Sequence, residues 1–146
     1  MAYLIGIDCG KHTGIAIWDT ETQAFTVIET FPIHRALDKV YKYGLMMACG
    51  ANSVKVYFED ARQRRWFPKE ASWGEVKGRA MLSGYVKRDA VIWQDALTDW
   101  GIPFEMVPPR PGMTKWDAAT FARVTGYKGR TSNHARDAAL LVFGRK

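Results

Sequence analysis

Four side chains have types that their surroundings do not explain. Asp8 is the only charge in the apolar run YLIGIDC. Glu59, followed by Asp60, ends the run VKVYFED. Near the C-terminus, TSNHARDAALL places His134 and Asp137 three residues apart. On a helix capped by Ser132 or Asn133, that spacing sets both on the face that carries Leu140 and Leu141. The leucines are expected to point inward, and the imidazole and carboxylate with them. Each acid alone has a plain explanation, since Asp caps turns and strand ends reach solvent. Together they suggest a cation, because converging carboxylates repel unless positive charge lies between them. Carboxylate oxygens suit a hard ion, magnesium or manganese in its place. His134 fits as a fourth ligand or as a proton-transfer group. Two such ions, about 4 Å apart, can hold a scissile phosphate, activate water and stabilise the leaving oxygen.

These residues need a fold that brings residue 8 to residue 137. The chain of 146 residues suits one domain with a sizeable core, and its 47% apolar content argues against disorder. Residues 3–9 and 14–19 read as strands around a tight Gly10–Gly14 turn, and AFTVIETF as a third. A helix is expected from Pro32 to about Cys49, with Gly50 as its C-cap. SVKVYFED is a fourth strand, and a long helix runs from about Val76 to Trp100. IPFEMVPP is a fifth strand, TKWDAATFARVTG a short helix, and the His134 segment the last one. The order β-β-β-α-β-α-β-α-α predicts one α/β domain built on a mixed five-stranded sheet, with helices on both faces. If the first and fourth strands are parallel neighbours, Asp8 and Glu59 meet at their C-terminal edge, where open α/β sheets bind ligands.

Cys9 and Cys49 form no CxxC pair, so a structural zinc site and a disulfide framework are not expected. No apolar run is long enough to span a bilayer, and MAYLIGID lacks the features of a signal peptide, so a cytoplasmic location is expected. The net charge of +6 and pI near 9.4 are compatible with a nucleic-acid partner. The segment 61–73 interleaves Arg62, Arg64, Arg65 and Lys69 with Trp66, Phe67 and Trp73. That pattern suits phosphate contact and base stacking next to Glu59. On the long helix, Met81, Leu82, Tyr85, Val86, Ala90, Ile92, Trp93 and Leu97 make an apolar surface broader than one core stripe needs; most of it is expected in the core, and a surplus could form a two-fold contact.

GIDCGKHTGIAIWD, VYFEDAR and HARDAALL together resemble the first-strand, fourth-strand and last-helix motifs of the RuvC-like Holliday junction resolvases. The ending KGRTSNHARDA is similar to that of the small phage and prophage members. The resemblance implies an RNase H-like fold over 1–146. It makes Asp8, Glu59, His134 and Asp137 the catalytic and metal-binding set for magnesium or manganese, two ions per site. It also implies a homodimer that cuts four-way DNA junctions symmetrically, within the host cytoplasm if phage-encoded. Lys115, in GMTKW, is the best match to the family's lysine near the scissile phosphate. Other branched nucleic acids (a flap, a fork or a packaging intermediate) fit the same chemistry, and a non-catalytic DNA-binding module of the same fold is the contrasting reading. GIDCGKHTG also resembles the phosphate loop of sugar kinases and actin, which pair two such domains around ATP; no second glycine-rich loop occurs here.

Overall fold

A computed structural model describes residues 2–49, 52–64, 72–109 and 115–146. Five strands form one mixed sheet: β1 (Ala2–Asp8), β2 (His12–Asp19), β3 (Ala24–Pro32), β4 (Ser53–Glu59) and β5 (Phe104–Val107), in the spatial order β3-β2-β1-β4-β5. β1 pairs antiparallel with β2, and β2 with β3, whereas β1–β4 and β4–β5 are parallel. The helices are α1 (Ile33–Ala48), α2 (Trp73–Asp99), α3 (Ala118–Thr125) and α4 (Asn133–Leu140). No helix of the described residues is long and apolar enough to cross a membrane.

Strand alternation sorts β1 onto two faces. Ile5 and Ile7 pack with Ala36 and Val40 of α1 and with Ala90, Trp93 and Leu97 of α2. Leu4 faces the other way, into a cluster with Trp18, Tyr57, Val107 and Val142, while Ala16 of β2 meets Ala135, Ala138 and Ala139 of α4. Helices therefore cover both faces, as the sequence order predicts.

Two features of α2 differ from expectation. α2 begins at Trp73 rather than Val76, because Ser72 and Glu75 close a reciprocal capping box. Its apolar surplus also divides along its length: Ala90, Trp93 and Leu97 are buried, whereas Met81, Leu82 and Tyr85 are exposed.

The main correction concerns α4. Leu140 and Leu141 are only half-buried, and the face laid on the sheet is Ala135, Ala138 and Ala139. The helix lies too close to the sheet for leucine. A methyl group at Gly14 would stand 2.0 Å from the His134 carbonyl oxygen, and one at Gly6 would stand 2.0 Å from that of Ala138. Two strand glycines and three helix alanines thus let backbone meet backbone. Ser132 caps the helix by accepting from the Ala135 amide, and its hydroxyl meets Thr30 Oγ1 of β3 at 2.6 Å. Arg136, buried on the same helix, donates to the carbonyl oxygens of Trp116 and Thr131 at 2.9 Å each and to Asn133 Oδ1, fastening the α3–α4 connection.

Candidate active site

The register explains how the four residues meet. Ile7 pairs with Phe58, so the next residues, Asp8 and Glu59, end parallel neighbouring strands side by side. Asp8 pairs with Gly14 across the β1–β2 ladder, and Gly14 is the point where the His134 backbone touches the sheet. The glycine that admits the helix therefore sets His134 against Asp8, and His134 Nδ1 lies 2.8 Å from Asp8 Oδ2. One helical turn on, Asp137 receives Lys115 Nζ at 3.1 Å.

All four residues line one groove of about 350 Å³, together with Lys115, Arg64 and Leu141. Leu140 lines it too. The inference that His134, Asp137 and the leucines share a face holds, but that face is the wall of the groove rather than the core.

The electrostatics are those of crowded acids. Burial raises the Asp8 carboxyl above its ordinary range; the hydrogen bond to His134 opposes this, and Asp137 adds to it. Burial likewise raises Glu59, and the charges of Asp8 and Asp137 reinforce it while Arg64 and Lys115 counter it. Lys115 holds its proton more tightly because it bonds Asp137. The demand for positive charge is thus partly met by the protein itself.

Neither a protein-family model nor a curated protein matches this chain. Among the described residues, no three His, Cys, Asp or Glu side chains converge as a ready ligand cluster in this conformation. The donor set still fits a hard divalent ion in its chemistry: three carboxylates on one groove, two of them with raised affinity for protons. Asp8 and Asp137 are held meanwhile by His134 and Lys115.

The DNA-contact candidates separate. Arg64 lines the groove and acts on Glu59. Arg62 instead donates from Nε to Asp60 at 2.7 Å and from its terminal nitrogen to Gln94 at 2.8 Å. That pairing explains Asp60, which is 3% exposed and caps a short 3-10 turn, Ala61–Gln63. Arg65, Trp66, Phe67 and Lys69 lie outside the described residues. His12, read from the sequence as a turn residue, begins β2, and its ring centroid lies 6.4 Å from that of His134. Buried Asp89 on α2 was not singled out from the sequence, although it precedes Trp93 by four residues and so shares the helix side of the buried Ala90, Trp93 and Leu97.

The raised carboxyls give a pH prediction. A carboxyl that binds its proton more tightly when folded costs stability once ionised. The cost is absent below the ordinary carboxyl range, grows as pH rises through it, and is complete above the raised folded value. Glu59→Gln is therefore expected to raise the melting temperature by a few degrees at pH 7 and to leave it unchanged at pH 3, by thermal denaturation without divalent metal. Equal melting at both pH values would show that Glu59 is not under electrostatic strain.

Proposed function

We propose that this protein is a divalent-metal-dependent endonuclease of the RuvC-like, RNase H-like type, and that it resolves four-way DNA junctions by paired phosphodiester hydrolysis. The observation that carries the reading is that Asp8, Glu59 and Asp137, from β1, β4 and α4, line one groove. The strand order β3-β2-β1-β4-β5, with β2 antiparallel to the other four strands, supports the RNase H-like assignment.

Asp8, Glu59 and Asp137 would hold magnesium or manganese, two ions per site. Bound there, the metal supplies Lewis-acid polarisation of the phosphoryl group and activation of water. His134 fixes the Asp8 carboxylate through Nδ1. Its Nε2 has no hydrogen-bond partner among the described residues, which leaves it available as a proton-transfer group at the groove. Lys115 and Arg64 bring positive charge to the same wall for the phosphate. From the sequence, Arg65, Trp66, Phe67 and Lys69 would add DNA contacts in the segment after β4. A two-fold dimer through the exposed Met81, Leu82 and Tyr85 of α2 would present two grooves to two symmetric strands. Paired cutting requires that arrangement.

The test is cleavage mapping on fixed and mobile four-way junctions, flaps, forks and linear duplex, in magnesium and in manganese. Paired nicks at symmetry-related positions of the junction are expected, with 5′-phosphate and 3′-hydroxyl ends. Junctions left uncut in both metals would overturn the proposal, and preferential cutting of flaps or forks would move it to another branched substrate.

A further inference from the structure

Arg145, beyond α4, is held by its backbone, its Nε and its guanidinium face. Its carbonyl accepts from Trp18 Nε1 at 3.0 Å. Its Nε donates to the Leu141 carbonyl at 2.7 Å, and its guanidinium carbon lies 4.2 Å from the centre of the Tyr57 ring. The nearby acid, Glu105, is bound by Lys55 at 2.8 Å, and Lys55 lies over the same ring at 4.8 Å. The two terminal nitrogens of Arg145 have no hydrogen-bond partner among the described residues. Backbone, Nε and ring face are all fixed, so the fork is pre-organised with its outer edge left over.

Arg145 also lines the groove of Asp8, Glu59 and Asp137. Tyr57 and Glu59 share a strand face two residues apart, about 7 Å along β4. This is about one nucleotide step of an extended strand. The same groove is lined by Pro108, Pro109 and Leu141, apolar surface that would accept an unstacked base.

We infer that Arg145 grips the DNA phosphate next to the one being cut, by a bidentate guanidinium–phosphate pair, and so fixes the register of the strand in the groove. The inference rests on the nuclease reading above. Arg145 is a positioning residue: it sets where the strand lies and takes no part in bond cleavage. A guanidinium serving only to hold the end of α4 against Tyr57 would contribute to stability and be indifferent to substrate charge.

The experiment compares wild type, Arg145→Ala and Arg145→Lys on junctions in which each phosphate flanking the cut is replaced in turn by an uncharged methylphosphonate. For Arg145→Ala, KM should rise about tenfold and the dependence of log affinity on log salt should fall by about one phosphate contact, with kcat little changed. One flanking methylphosphonate should weaken wild type by a similar factor and Arg145→Ala no further. Arg145→Lys should keep the salt dependence and lose much of the affinity; it also serves where the alanine variant folds poorly. If wild type cuts the native junction but no flanking methylphosphonate affects it, or if Arg145→Ala remains as sensitive as wild type, the role of Arg145 is overturned and the nuclease reading stands. Wild type that neither binds nor cuts DNA overturns both.

Discussion

Gly14→Ala is expected to lower stability by about 3 kcal/mol, roughly 10 °C in melting temperature, and to reduce cleavage at least about 100-fold in whatever protein folds. The added methyl would stand 2.0 Å from the His134 carbonyl oxygen, 2.3 Å from its carbon and 2.8 Å from the Ala135 nitrogen. These are backbone atoms of a capped helix, not the flexible end of a side chain, so the only relief is to lift α4. Lifting it loosens Ala135, Ala138 and Ala139 from the sheet and carries His134 and Asp137 away from Asp8 and Glu59. The same substitution at Gly84, in the exposed part of α2, meets nothing within 4 Å. There it should stabilise by up to about 1 kcal/mol, because alanine loses less backbone entropy in a helix. Thermal denaturation and single-turnover cleavage of the two variants side by side would check both signs. A Gly14→Ala protein as stable and active as wild type would mean that α4 does not lie against β2 at this point.

The contrast between the two glycines shows what the sequence reveals and what it hides. The strands were legible because apolar runs such as YLIGIDC end in turn residues, and α1 because its apolar positions recur at helical spacing. Asp8, Glu59, His134 and Asp137 were legible as charges at odds with their surroundings, and the structure places all four on one groove. The inward face of α4 was misread because Leu140 and Leu141 are its most hydrophobic residues. Size, rather than hydrophobicity, decides there: a helix seated on Gly6 and Gly14 has room for alanine only, and leucine is displaced to the groove wall. That close approach depends on residues more than a hundred positions apart, so no local pattern records it. Arg62 stood out for its basic neighbours, yet its donors go to Asp60 and Gln94, a pairing set by the 3-10 turn. Arg145 and Arg136 drew no notice because a single cation in or beside a short helix has no pattern to mark it; only tertiary contact shows that each is held. Asp89 was passed over although its spacing from Trp93 and Leu97 puts it on the buried side of α2.

The groove's own acids give the most direct test of the chemistry. Asp8→Asn and Asp137→Asn are each expected to reduce junction cleavage by on the order of 10³-fold or more while leaving binding intact or slightly tighter. The two effects separate because one charge serves two roles with opposite signs. In the free protein each carboxylate adds to mutual repulsion: Asp137 helps to raise Asp8, and both help to raise Glu59. Asparagine removes that repulsion and the repulsion of incoming phosphate, so neither fold nor affinity should suffer. At Asp8 the amide oxygen can still accept from His134, so the local geometry is retained. Each substitution does remove a negative oxygen donor that a hard divalent ion requires, and the amide replaces it poorly. Asp137→Asn also releases Lys115, but that lysine is 75% exposed, so the lost ion pair should cost the fold little. Junction binding by gel shift in calcium, cleavage in magnesium and melting temperature, measured on the same preparations, distinguish the cases. Cleavage lost with binding and melting preserved is the outcome expected of metal-holding acids. Binding and cleavage lost together, with a lower melting temperature, would make these acids structural supports and remove the basis for a metal-dependent nuclease.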